Sequence, residues 1–184
     1  MAAHGESGEQ RLFFALWPPR DVAQALHAWA GAVAREAGGR AVPVANIHLT
    51  LAFLGELEPA RASEAIEAGA AVRSEAFELE FDEGRYWAHN DIVWAGPSKV
   101  PAGLQALVRK LCAALSGAGF KTDDRAFQAH FTLLREARAP SAFTAPPRQR
   151  MRVEEFLLVR SELSARGPSY GVRERYPLVR PRAA

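Results

Sequence analysis

Apolar positions along this chain change period several times, and each change predicts an element. Arg11–Trp17 (RLFFALW) is a short aromatic-rich run stopped by Pro18-Pro19, the pattern of a strand. Over residues 19–37, Val22, Leu26, Trp29 and Val33 fall on one helical face, and Gly38-Gly39 end the segment. Ile47–Leu54 alternates as a strand should and ends at Gly55, and Pro59 opens a second helix to about residue 73. Phe77, Leu79 and Phe81 alternate with Glu78, Glu80 and Asp82, which predicts a half-solvated strand. Arg85–His89 and Ile92–Ala95 flank Asn90-Asp91 as the arms of a hairpin. A third helix over Pro101–Ser116 places Leu104, Leu107, Val108, Leu111 and Leu115 on one face, with Cys112 at its border. Strands follow at Ala129–Leu134, Val153–Glu162 and Arg173–Val179, separated by a Pro-bearing loop over 139–147 and a turn at Gly167–Gly171. Met1–Gln10 reads as a loose polar tail.

The order strand, helix, strand occurs twice, and each copy ends in a related motif. H-L-T-L stands at 48–51 and H-F-T-L at 130–133, an offset of 82 residues (130 − 48). An imperfect duplication predicts one bilobal α+β domain over residues 11–180, each lobe sending one His-x-Thr strand to a shared cleft. Side chains two apart on a strand share a face. His48 and Thr50 then point one way, with Ile47, Leu49, Leu51 and Phe53 on the other face. His130 and Thr132 form the matching pair, opposite Ala129, Phe131 and Leu133.

Two imidazoles and two hydroxyls in one cleft suit the opening of a cyclic phosphodiester by water. One imidazole takes a proton from water while the other protonates the departing oxygen, and the histidine pKa near neutrality permits both states. The hydroxyls donate to the phosphate oxygens on which negative charge grows. A lone His-x-Thr would be a weak signal; two copies in alternating strands carry much more. No Asp or Glu stands beside either motif, so a zinc or iron site lacks its further ligands, and no metal or other cofactor is expected. No G-x-S-x-G occurs, so a Ser-His-Asp hydrolase of that type has no support.

Composition changes the picture little. The only cysteine is Cys112, which rules out an intramolecular disulfide and a cysteine-cluster metal site. No apolar run is long enough to span a bilayer, and the N-terminal residues lack a signal-peptide core, so a cytoplasmic protein with no membrane partner is expected. The net charge of +2 hides an asymmetry. Residues 1–124 carry 11 Lys+Arg and 16 Asp+Glu, whereas residues 125–184 carry 12 Arg and 5 Glu. A basic C-terminal third suits an anionic ligand such as nucleic acid.

RLFFALWPP, NIHLTLAFLGEL, RAFQAHFTLLRE and the closing S-E-L…G-P-S-Y…Y-P-L pattern together resemble the two-histidine phosphoesterase superfamily. The resemblance is to its RNA 2′,3′-cyclic phosphodiesterases, also called 2′–5′ RNA ligases, and runs from about Arg11 to Val179. It implies two antiparallel β-sheets flanked by helices around a central cleft, with pseudo-twofold symmetry and no metal requirement. It further implies His48 as general acid, His130 as general base, and Thr50, Thr132 and Arg135 as phosphate contacts. Strict strand parity puts Arg135 opposite His130, so this last role requires the strand to end or twist near Leu134. Ala129 stands where relatives commonly have proline. Phe13, Phe14, Trp17 and Tyr170 are candidates to stack a base, against the ordinary role of strand aromatics as core. The partners implied are RNA ends or nucleotides bearing a 2′,3′-cyclic phosphate, met by a monomer. Small cyclic nucleotides as substrates, 2′–5′ ligation, and a non-catalytic RNA-binding module are the alternatives.

Overall fold

The computed structural model describes residues 8–122, 126–141, 145–164 and 167–180. Most of the expected tail, residues 1–7, and part of the expected loop, residues 142–144, lie outside the described residues. Gln10 does not belong to a tail: it is buried and opens the first strand. The elements in chain order are β1 (Gln10–Leu16), α1 (Arg20–Ala37), β2 (Arg40–Ala41), β3 (Leu49–Leu57), α2 (Pro59–Ala71), β4 (Phe77–Phe81) and β5 (Glu83–Trp87). They continue with β6 (Ile92–Gly96), α3 (Ala102–Gly117), β7 (Phe131–Arg135), β8 (Gln149–Val153), β9 (Glu155–Ser164) and β10 (Gly167–Pro177).

The described residues form two antiparallel sheets of unequal size. Eight strands form one sheet in the order β10-β9-β1-β3-β7-β6-β5, with β2 added beside β7, while β4 and β8 pair by themselves. The segment expected as one strand over 153–162 divides at Glu154, its first residue closing β8 and the rest joining β9. Gly167–Gly171, expected as a turn, runs as the start of the edge strand β10.

Helix periodicity is realised directly. The residues predicted for the inner face of α1 (Val22, Leu26, Trp29, Val33) are buried, as are Leu104, Leu107, Val108, Leu111 and Leu115 of α3. Helix α2 packs on β1, β3 and β10; α1 packs on β2, β7 and β8; α3 packs on α2, β3 and β4. The small β4–β8 sheet covers the same side, setting Phe81 edge-on against Phe131 of β7 at 4.7 Å. One face of the large sheet thus carries the main core, where each fully buried Leu or Phe contributes about 1.5–3 kcal/mol. The opposite face is left for the cleft.

The basic C-terminal segment meets an acidic partner within the fold. Antiparallel register sets Glu78 against Arg152 and Glu80 against Arg150. Arg150 reaches Glu80 at 2.8 Å, Arg148 reaches the same carboxylate at 2.9 Å, and Arg152 reaches Glu78 at 3.2 Å. Exposed pairs of this kind add little to stability, so their effect is on strand choice. Three of the twelve C-terminal arginines therefore engage β4, and the charge asymmetry loses weight as a sign of nucleic acid.

Gly39 controls the approach to the second lobe. Its φ is +84°, and a Cβ there would lie 2.6 Å from the Arg135 carbonyl oxygen and 3.0 Å from the Ala137 backbone. This lets the chain leave α1 and pair at once as β2, Arg40 against Arg135. Gly39→Ala is expected to lower the unfolding free energy by about 1–3 kcal/mol, through the left-handed φ and the forced backbone shift. Urea denaturation measures this, and an unchanged midpoint would remove the close approach from the account.

Candidate active site

The two His-x-Thr segments meet at the middle of the large sheet. Strands β3 and β7 share one antiparallel pair among the described residues, Leu49 with Phe131. These positions are themselves 82 apart (131 − 49), the offset of the motifs, so the pseudo-twofold axis passes through this pair. Antiparallel register then carries His48 toward Thr132 and Thr50 toward His130. Both histidines sit one residue before their strand is assigned to begin.

A bulge follows each threonine. Against β1, Ala15 pairs with Thr50 and Phe14 with Ala52, so Leu51 is the extra residue. Against β6, Trp94 pairs with Thr132 and Val93 with Leu134, so Leu133 is the extra residue. An extra residue reverses the alternation beyond it. Phe53 and Arg135, each three residues past a threonine, are thereby turned onto the face of His48, Thr50, His130 and Thr132. For Arg135 this supplies the twist that strict parity lacked. For Phe53 it overturns the expectation of an apolar-face residue: its side chain is 52% exposed and lines the cleft, with the Arg11 guanidinium 5.1 Å from its ring centre.

Each imidazole is anchored the same way. His48 Nδ1 lies 2.7 Å from the Asn46 carbonyl oxygen, and His130 Nδ1 lies 2.7 Å from that of Gln128. A carbonyl can only accept, so each Nδ1 carries hydrogen and each Nε2 is the nitrogen available to a ligand. The surroundings differ. His48 is stacked on Trp17 (4.9 Å, 17° between planes), with Phe13 at 4.9 Å and Tyr170 edge-on at 5.0 Å. His130 has Trp87 edge-on at 4.6 Å and Trp94 at 6.2 Å. Loss of hydration around its ring pushes the His48 pKa down to about 4, and the Arg135 and His130 charges push the same way against the Asn46 carbonyl. Burial also lowers His130, again aided by Arg135 and opposed by the Gln128 carbonyl.

His48, Thr50, His130, Thr132 and Arg135 all line one cavity of ≈ 1030 Å³. Tyr170 stands at its edge, and Arg40 and Lys121 add positive charge to the walls. Arg40 also donates to Glu136 across the strand end. Phe14 does not reach this cavity. It points to the opposite face, fully buried between Phe156 and Tyr176, so it cannot stack a base. Trp17 faces His48 rather than the cleft. The sequence reading missed Phe53, Trp87, Arg40 and Lys121; the adjacent apolar residues Leu133-Leu134, which break the alternation of β7, were the available sign of a bulge. Among the described residues, no three His, Cys, Asp or Glu side chains are grouped to hold a metal ion.

The chain is similar to known proteins over nearly its whole length. The family described as LigT-like phosphoesterase matches residues 16–94, which contain the first motif. The RNA 2′,3′-cyclic phosphodiesterase of Escherichia coli is 32% identical over 176 residues, covering 94% of this chain and 99% of that protein. The protein of the same name from Thermus thermophilus is 33% identical over 182 residues, covering 91% of this chain and 90% of that protein. The crystal structure of E. coli LigT in apo form superposes with a TM-score of 0.87 at 30% identity, covering 95% of this chain and 100% of that one. Matched across nearly its whole length to relatives at this identity, the chain belongs to the LigT-like phosphoesterase family.

Proposed function

We propose that this protein hydrolyses RNA or nucleotide 2′,3′-cyclic phosphodiester ends to a 2′-phosphomonoester, using His48 and His130 as acid and base. The observation that carries the reading is the pair of Nδ1-anchored imidazoles, related by a pseudo-twofold and facing one cleft with two threonines and Arg135. The names of the E. coli and T. thermophilus relatives support the same reaction class.

In this mechanism the phosphate sits between the two Nε2 atoms. His130 takes a proton from water as the water oxygen bonds to phosphorus. The P–O3′ bond breaks on the far side, and His48 gives its proton to O3′. Exchange with solvent then restores both rings. Thr50, Thr132 and Arg135 donate to the non-bridging oxygens, where charge accumulates. No step calls for a metal. The same reading makes the protein a cytoplasmic monomer acting on RNA ends; no described helix is long and apolar enough to cross a membrane.

One observation favours a second reading with the roles exchanged. His48 is the more closely enclosed by aromatic rings, and this desolvation favours its neutral form, as a base requires. With the substrate held in the same orientation, His130 as acid and His48 as base reverse the line of attack and give a 3′-phosphate. Phosphorus NMR of a hydrolysed 2′,3′-cyclic nucleotide reads which oxygen leaves: a 2′-phosphate is expected, and a predominant 3′-phosphate would overturn the proposed P–O3′ cleavage.

His48→Ala and His130→Ala are each expected to lower kcat by about 10²–10⁴, the usual worth of a positioned acid or base. Thr50→Ala and Thr132→Ala should cost less, because other donors remain. Near-normal turnover in either folded histidine variant would end the two-histidine reading.

The pKa directions also set a pH dependence. Activity needs one ring protonated and one neutral, and both free-protein pKa values lie below the usual histidine value. As pH falls toward them, the singly protonated form grows, and it is lost again when the second ring charges. The optimum of kcat/KM, which reports the free protein, is therefore expected on the acid side of about 6.5. The bound phosphate anion raises both values, so the kcat optimum should lie higher. Coincident optima above neutrality would contradict the desolvated pair.

A further inference from the structure

Behind His48 lies a second cavity, of ≈ 290 Å³, lined by side chains the proposed hydrolysis does not use. It opens on the cleft face of the large sheet. Ala15 pairs with both Thr50 and Leu157, Phe13 pairs with Val159, and Val159 pairs with Val172, so these side chains share the face of Thr50. Leu157, Val159 and Val172 make an aliphatic floor, and Trp17 and Tyr170 make aromatic walls. Glu155 and Arg175, joined as an ion pair across β9 and β10, stand at the rim.

The walls connect this cavity to the catalytic centre. Trp17 is stacked on His48 and also lines the second cavity; it is absent from the lining of the first. Tyr170 lines both and stands edge-on to both rings, 71° from Trp17 and 76° from His48. A bridge separates the two spaces: Asn46 Nδ2 donates to the Pro168 carbonyl at 3.0 Å, and both residues line the cleft while neighbouring Ala45 lines the second cavity.

Aromatic walls, an aliphatic floor and a polar rim together suit a flat heteroaromatic ring with hydrogen-bonding groups along one edge. We propose that this second cavity is a nucleobase site, in which one base stacks on Trp17 and presents its polar edge to Glu155 and Arg175. The carboxylate accepts from ring or exocyclic N–H, and the guanidinium donates to a carbonyl or ring nitrogen. Guanine, whose O6 carbonyl adjoins N1–H, matches that pairing and covers the most indole. Its occupancy would extend the Trp17–His48 stack by one ring, so the base is felt at the imidazole without touching the phosphate. The base comes either from a neighbouring nucleotide of the RNA whose end lies in the cleft, or from a free nucleotide. Only the first source rests on the RNA-end reading given above.

The test uses guanosine, which has no phosphate to draw it into the cleft. It is titrated into the full chain while the methyl resonances of Leu157, Val159, Val172 and Thr50 are followed by NMR. Saturable shifts are expected at the three floor residues and only small ones at Thr50. Val172→Trp, which fills the cavity, should abolish the Leu157 and Val159 shifts while the protein still turns over a 2′,3′-cyclic mononucleotide. Shifts confined to Thr50, or none at all, would overturn the proposal. Floor shifts in a protein that hydrolyses no cyclic phosphate would instead sink the proposed reaction and leave the site standing. A second arm identifies the source with cyclic-phosphate-ended oligonucleotides carrying one abasic residue. A rise in KM of about tenfold at one position, the loss expected for a stacked base, and its disappearance in Val172→Trp assign the base to the RNA. No abasic effect, with guanosine altering kcat on the mononucleotide, assigns it to a free nucleotide.

Discussion

The architecture of the site hangs on a single residue pair. Leu49 and Phe131 join the two halves of the large sheet, and among the described residues no other pair joins β3 to β7. A longer ladder would close the sheet over the cleft; none would let the halves drift apart. One pair at the pseudo-twofold holds four chemically active side chains at fixed relative positions and leaves the strands free to diverge on either side. The pair is itself secured from the core side, since Leu49 and Phe131 are fully buried and Phe81 packs against the Phe131 ring. Rigid placement of this kind is what a paired acid and base require.

Bulges then do what alternation cannot. A regular strand offers one face every second residue, so His, Thr and a group three residues further cannot converge. The extra residues at Leu51 and Leu133 reverse the parity and bring Phe53 and Arg135 to the cleft. The two lobes use the same backbone device for different ends: one delivers the Arg135 cation to the cleft, the other an exposed ring. The histidines show a similar division. Their backbone anchors are equivalent, through the carbonyls of Asn46 and Gln128, yet the aromatic surroundings are not. Symmetric scaffolding with unequal desolvation is a simple way to give two identical side chains different proton affinities.

Much of this was legible in the chain itself. The helical faces of α1 and α3, the His-x-Thr repeat and its offset of 82 followed from spacing alone, because burial in helices and strands obeys fixed local periods. The repeat also identified His48, Thr50, His130 and Thr132, which the structure brings to one cavity. Other readings changed where a distant partner decides the outcome. The basic C-terminal third suited an anionic ligand, yet part of its charge is met within the fold, where Arg148, Arg150 and Arg152 face the glutamates of β4, far earlier in the chain. Gly167–Gly171 looked like a turn but is held extended by pairing with β9.

The chain by itself thus determined which residues could do acid–base chemistry and that two copies of the set exist. Tertiary structure decided which face each later residue occupies. Phe14 and Trp17 lie three apart in one aromatic run, and composition does not separate them. Pairing with β3 and β9 sends Phe14 into the core against Phe156 and Tyr176, while the chain beyond β1 lays Trp17 on His48. The physical reason is common to all these cases. Local sequence sets a period, but a bulge or a partner strand sets its phase, and phase is defined only once another strand is there to count against.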